Sequence, residues 1–259
     1  MLIIAAAGEQ PSVDGLSQQL ANPLAGLISV PLHNNFEFKA DSAKDVFAYG
    51  LHIQPVIPFR LTDDWKIISR TIIRIAYRDY SPGGSVLGLG DINASLFLSP
   101  KNAGRGGLIW CAGPVFLLPT VTDDYLGGGK FGLGPTALAL VQKKAWTVGA
   151  LGNHIWSVAG PSGRQDVSAS LLQPFVSYIF GRGRSMSFRV DSTYDQKANK
   201  WIGPINLGTT QVFKLNDQAM SFQFGGRYYA DGPTGTPEGG LRATVTFMFL
   251  NKFANASAI

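Results

Sequence analysis

Gly88-Leu-Gly-Asp-Ile-Asn-Ala-Ser-Leu-Phe-Leu-Ser-Pro100 sorts its side chains by strict alternation. In an extended strand Ile92, Ala94, Leu96 and Leu98 share one face, and Asp91, Asn93 and Ser95 share the other. The same two-faced pattern recurs along the chain. A soluble sandwich turns its apolar face into a core, whereas a membrane barrel turns it to lipid and keeps the polar face in its lumen.

Composition favours the second architecture. The 259 residues include 31 Gly and 15 Pro, 11% are aromatic and only 15% are charged. A soluble chain usually carries roughly a quarter charged residues. Mean hydropathy is +0.09, yet no stretch approaches the ~20 apolar residues of a membrane helix. The single Cys111 lies in an apolar run, which excludes a disulfide framework and a cysteine-based metal site. Met1 to Ala7 is apolar and ends in Ala5-Ala6-Ala7, like the tail of an export signal lacking its basic region; an ordinary apolar tail is the alternative.

Period-two runs bounded by turn residues predict twelve strands, an even number as in bacterial single-chain barrels. They are expected over 27–38, 46–59, 65–77, 88–99, 108–119, 129–142, 146–157, 166–180, 185–194, 201–215, 218–229 and 239–250. Many reach the length of about ten residues that a tilted strand needs to cross a bilayer. Connections after even-numbered strands are mostly tight, as at Leu61–Asp64, Lys143–Ala145, Gly181–Arg184 and Asn216–Asp217. Those after odd-numbered strands are longer, as at Arg78–Leu87, Thr120–Gly128, Ala159–Gln165 and Ala230–Glu238. Short periplasmic turns opposite longer external loops mark an outer-membrane barrel.

Charge parity assigns the faces. Arg70 and Arg74 share a face with Ile68 and Ile72, opposite Ile67, Ile73, Ile75 and Tyr77. An arginine at the lipid midplane costs about 2–4 kcal/mol, so both are expected in the lumen. By the same logic Ser187, Arg189, Asp191 and Thr193 point inward and Met186, Phe188 and Val190 outward. Ser221, Gln223 and Arg227 oppose Met220, Phe222, Phe224 and Tyr228; Arg242, Thr244 and Thr246 oppose Leu241, Ala243, Val245, Phe247 and Phe249. His33, Asn35, Glu37, His52 and Gln54 fall on lumen faces of neighbouring strands, and Asn153 and Gln173 are further lumen candidates. Asp91 is a natural ion-pair candidate for Arg70 or Arg74 in the adjacent strand. Trp65, Tyr77, Trp146, Trp156, Tyr194, Trp201 and Tyr228 sit near strand ends, where aromatic girdles are expected.

Several segments together resemble the bacterial outer-membrane proteins grouped with the meta-pathway of phenol degradation, often labelled as transporters. These are His52-Ile-Gln-Pro-Val-Ile-Pro-Phe59, Ile68-Ser-Arg-Thr71, Gly88-Leu-Gly-Asp91 with Phe97-Leu-Ser-Pro100, Asn153-His-Ile-Trp-Ser157 and Leu172-Gln-Pro-Phe175. The resemblance covers Leu20 to Phe249 and implies a barrel of about twelve strands that passes small, aromatic or hydrophobic molecules. It implies no catalytic residue. It also favours a chain ending near Phe249 or Phe253, whereas Ala254 to Ile259 trails beyond.

Other chemistry is weaker. His154 with Asn153 and Ser157 invites a lipid-processing nucleophile reading, but residues three apart on a strand face opposite sides, and a base must reach its nucleophile within about 2.6–3.2 Å. Gly127-Gly-Gly-Lys130 lacks phosphate-loop spacing and is expected as a flexible loop. Despite a net charge of +5, no basic stripe interleaved with aromatics points to nucleic acid. Residues 12–21 predict a short helix stopped at Asn22-Pro23, either a partial plug of the periplasmic mouth or a plain leader.

The expected organisation is therefore a leader and short helix over 1–26, an outer-membrane barrel over 27–253 and a tail over 254–259. The expected role is passive passage of small molecules through the bacterial outer membrane, with no catalysis, cofactor or metal. Membrane lipids, a solute and the barrel assembly machinery are the expected partners. A lipid-processing barrel and a sealed structural barrel are the alternatives.

Overall fold

The computed structural model describes residues 11–39, 46–80, 84–230, 232 and 236–249. The export-signal-like segment 1–7 and the tail 254–259 lie outside them, as does part of the expected loop over 230–238. Sixteen strand segments make twelve staves. In chain order these are β1 (Ile28–Lys39); β2 (Val46–Ile53) continued by β3 (Val56–Arg60); β4 (Trp65–Tyr80); and β5 (Gly84–Leu89) continued by β6 (Ile92–Pro100). Then come β7 (Leu108–Leu118), β8 (Phe131–Lys143), β9 (Trp146–Ala159) and β10 (Ser168–Gly181). The last four are β11 (Arg184–Val190) with β12 (Ser192–Asp195), β13 (Lys200–Ile202) with β14 (Pro204–Leu215), β15 (Gln218–Tyr229) and β16 (Gly239–Phe249). All neighbours are antiparallel; β16 pairs with β1 and β10 with β11, so the sheet closes. Closure leaves no open edge, the condition for a sheet to stand in hydrocarbon.

The tight turns obey hairpin chemistry. Lys144, Arg182 and Asn216 adopt positive φ of 51°, 55° and 53°, the left-handed conformation that two-residue turns between twisted strands require. At the opposite end one expectation is corrected. Arg78–Leu87 is largely strand rather than loop, because β4 runs to Tyr80 and β5 returns along it from Gly84.

The outer wall carries the apolar parity. Leu96 and Leu98 are 44% and 42% exposed, whereas Ser95 and Ser99 are buried. Aromatic contacts gather at both rims. Trp65 meets Trp110 and Trp146 meets Tyr178 at the turn end; Phe47 meets Tyr77 and Tyr194 meets Trp201 at the loop end. Trp146 and Trp156 are ten steps apart on β9, which at about 3.3 Å per residue and about 40° of tilt spans about 25 Å, the height of a barrel's apolar band.

Around β7 and β8 the staves approach one another backbone to backbone. Pro114 of β7 faces Pro135 of β8, flanked in register by Gly113 and Gly134. A Cβ on Gly134 would stand 1.6 Å from the His154 carbonyl oxygen, and one on Gly113 1.9 Å from that of Leu96. Backbone occupies the space a side chain would need. Gly134→Ala is expected to abolish the heat-modifiable, folded band on electrophoresis, and a variant that still gave it would contradict the need for this close approach.

Candidate functional site

The barrel encloses a cavity of ≈ 270 Å³ with two chemically distinct walls. Ile68, Phe97, Leu138 and Leu151 form an apolar wall, buried to 5% exposure or less, with Phe175 packed against it. Their positions follow from parity and register. Ile68 faces inward from β4 and pairs with Phe97 of β6, while Leu138 and Leu151 pair across β8 and β9. The other wall presents His33, Gln54, Arg70, Gln173, Arg189, Gln223 and Arg242.

Arg70 stands where the two walls meet. It is one inward step from Ile68 on β4, and its Nη2 donates to Gln54 Oε1 at 3.3 Å. Among the described residues it belongs to no ion pair. The other arginines are held more firmly. Asn35, 1% exposed, accepts at Oδ1 from Arg227 Nη1 and from Arg242 Nε, both at 2.7 Å. Glu37 lies 3.1 Å from Arg227 and accepts from the Tyr229 hydroxyl at 2.6 Å. Asp191 lies 2.9 Å from Arg189 Nε and 3.9 Å from Arg242, and accepts from Gln173 at 2.5 Å and Asn206 at 3.1 Å. Asp191 occupies the interruption between β11 and β12, where it can reach three staves. Gln223 donates to Ser187 at 3.0 Å.

The turn end of the lumen is filled by α1 (Val13–Ala21). Ser12 caps it by accepting from Gly15 N, and Asn22 ends it, its side chain accepting from Leu24 N. Leu16 and Leu24 are 1% and 2% exposed. Leu16 packs with Leu27, Val212 and Met248, and Leu24 joins the apolar wall. Gln142 donates to Gln18 O at 2.9 Å, Lys66 donates to Leu24 O, and Gly183 N donates to Asp14 at 2.7 Å. Lys66, Gln142, Val212 and Met248 share the inward parity of β4, β8, β14 and β16, so the helix sits inside the mouth.

Asp91 behaves differently from expectation. The strand quoted first is interrupted at Gly90-Asp91, where Thr120 and Thr122 supply the missing ladder bonds: Ile92 N donates to Thr120 Oγ1 and Leu89 N to Thr122 Oγ1. Asp91 is 5% exposed and accepts from Gly129 N at 2.9 Å; neither Arg70 nor Arg74 pairs with it. The loop leading into β8 brings that donor closer than any guanidinium. The glycine run is thus a docked segment, not a flexible one. Arg164 donates to the carbonyls of Gly127 and Gly128 and pairs with Asp124. Lys130 bonds Asp166 at 2.6 Å. That hydrogen bond holds the Asp166 carboxyl below the usual carboxylate range, with its charge and the Ser157 hydroxyl adding to it. The contact is complete at neutral pH and is lost as acid protonates the carboxylate.

Of the remaining candidates, three form one cross-strand row and the others lie apart. Arg74 is exposed, facing His52 across β2 and β4, and His52 faces His33 across β1 and β2. His33 Nδ1 shares a 2.9 Å hydrogen bond with Thr244 Oγ1. Asn93 Oδ1 is buried without a partner, and Asn153 is half-buried opposite Leu171. His154 and Ser157 do not meet. His154 Nδ1 is 2.7 Å from Ser170 Oγ across the strand and its ring packs, tilted by 47°, with its centroid 4.1 Å from that of Trp156, while Ser157 donates to Asp166. The proposed His154, Asn153 and Ser157 constellation is not assembled.

The apolar wall is what charge parity overlooked. Phe97 has the parity of Asp91, Asn93 and Ser95, and the run Phe131–Val141 is apolar on both faces. A strand without a polar face signals an apolar lumen at that stave.

No family model and no curated protein sequence matches the chain. Among solved structures, it is similar to an outer membrane channel from Pseudomonas putida F1, at 14% identity and a TM-score of 0.68, over 96% of this chain and 100% of that one. The NanC porin follows at 10% identity and a TM-score of 0.54, over 86% and 98%. An outer membrane phospholipase from Salmonella typhi aligns with a TM-score of 0.43, too distant to bear on activity. The chain has the fold of outer-membrane channels and porins, a closed twelve-stave antiparallel barrel.

Proposed function

We propose that the protein is an outer-membrane channel of a Gram-negative bacterium that passes small organic anions with an apolar or aromatic body. The single observation behind this reading is Arg70. Its guanidinium has no carboxylate partner among the described residues and stands on the cavity lining, at the seam with Ile68 and Phe97. A carboxylate placed on Arg70 leaves its apolar body against Phe97, Leu138, Leu151 and Phe175, so both halves of such a solute find matching surface. Five lumen arginines against the carboxylates of Glu37, Asp91 and Asp191 bias the interior towards anions. The resemblance to barrels associated with phenol degradation supports the aromatic part of the reading.

In planar bilayers under a salt gradient, the reversal potential is expected to take the sign of an anion-selective pore. Arg70→Gln is expected to move it towards zero with the folded band retained. A cation-selective wild type, or no conductance in either protein, would sink the proposal.

A further inference from the structure

The outer wall holds a second concavity, which reaches inward as far as Ser185 and Thr210, residues that also line the lumen cavity. It is a trough of ≈ 440 Å³ at the turn end, lined by Phe180, Arg184, Thr209, Gln211, Phe222 and Phe224 among others. Register explains its shape. Arg184 of β11 pairs with Gln211 of β14, which pairs with Phe222 of β15; one outward step along, Met186, Thr209 and Phe224 form the next row. The short Thr209 side chain thus lies between Met186 and Phe224, and Phe180 of β10 rises on the far side. The three phenylalanines are 46–56% exposed.

Arg184 is the unusual member. It has the outward parity of Met186 and Phe188, is exposed, and belongs to no ion pair among the described residues. It follows directly on the Gly181–Gly183 turn, placing its guanidinium at the periplasmic rim of the apolar band. Gln211 is already spent on the carbonyls of Arg182 and Val212. On the outward face the guanidinium and the Thr209 hydroxyl remain as donors, with the Ser185 and Thr210 hydroxyls at the inner end of the trough. Among the described residues no acidic side chain lines the trough.

We propose that this trough holds one anionic glycerophospholipid of the periplasmic leaflet, its phosphate on Arg184 and one acyl chain along Thr209 between Phe180 and the Phe222–Phe224 pair. Depth, shape and charge agree. At the headgroup boundary phosphate is the abundant anion, guanidinium binds it in bidentate fashion, and the aromatic flanks match an acyl chain. The absence of a carboxylate leaves nothing for the ammonium of a zwitterionic headgroup. The site stands whether or not the lumen conducts.

Native mass spectrometry of the full chain in maltoside micelles, with dioleoyl phosphatidylglycerol or dioleoyl phosphatidylcholine added, tests it. The wild type is expected to retain one phosphatidylglycerol in preference to phosphatidylcholine. Arg184→Gln is expected to lower that retention about tenfold, the scale of one charge-assisted hydrogen bond. Thr209→Trp, which fills the trough without touching a charge, is expected to do the same and serves if Arg184→Gln does not fold. Equal retention of the two lipids overturns the proposal. So does phosphatidylglycerol retention that either folded variant leaves unchanged, or that Lys101→Gln, at a different turn, lowers as much.

Discussion

Replacing Leu16 and Leu24 together by aspartate is expected to raise the single-channel conductance of the reconstituted barrel several-fold while its heat-modifiable migration persists. Both leucines are almost fully buried in the mouth, one against Val212 and Met248, the other against the apolar wall. At position 16 a carboxylate is packed among Leu27, Val212 and Met248 and costs several kcal/mol in effective desolvation, whereas at position 24 the Lys66 ammonium that bonds the Leu24 carbonyl offsets part of that cost, so position 16 carries most of the effect. The helix is tethered by Gln142 to Gln18 O, Lys66 to Leu24 O and Asp14 to Gly183 N, whereas stave pairing closes without it. Release therefore clears the mouth and leaves the wall intact. Unchanged conductance in the double variant would mean that α1 is not the obstruction.

Asn35→Leu is expected to destabilise the barrel by about 2–5 kcal/mol, read as a lower urea midpoint for unfolding from micelles. The size of the effect follows from what is left behind. One amide oxygen serves two guanidinium groups at 2.7 Å, and its Nδ2 also donates to Gly50 O at 3.1 Å. Leucine fills the same volume but leaves Arg227 and Arg242 each a buried donor short. Asn35→Asp restores the acceptor and adds a charge between two arginines but sets a carboxylate oxygen against the Gly50 carbonyl, so it is expected to be more stable than Asn35→Leu while lowering anion selectivity. A leucine variant as stable as wild type would show that the arginines repartner freely, with Glu37 and Asp191 the nearest alternatives.

The wall of this barrel was legible in the sequence because lipid enforces alternation. An arginine facing hydrocarbon is so costly that Arg70, Arg189, Arg227 and Arg242 declare the inward face of their strands, and Leu96 or Phe222 the outward one. Turn chemistry marked the short connections in the same local way, as at Asn216-Asp217. The interior was less legible because its contacts are long-range. Whether Asp91 meets an arginine or the Gly129 amide depends on the path of the loop after β7, and Thr120 and Thr122 of that loop replace the ladder where β5 ends. A periodic pattern over Gly88–Pro100 does not encode that break. Phe97 was hidden by an assumption that inward means polar; its partner Ile68 lies on another strand, and only their register makes a wall. The short helix was visible from Ser12 and Pro23, but its seat depends on Val212 and Met248, far along the chain.

The proposed selectivity for small organic anions with an apolar body rests on the Arg70 guanidinium, which has no carboxylate partner among the described residues, beside the apolar wall. The most direct measurement is uptake of labelled benzoate into proteoliposomes, compared with benzylamine, a cation of similar size. Benzoate is expected to enter faster than benzylamine and to lose most of that advantage in Arg70→Gln. Equal entry of both solutes, or a benzoate preference that survives Arg70→Gln, would contradict it.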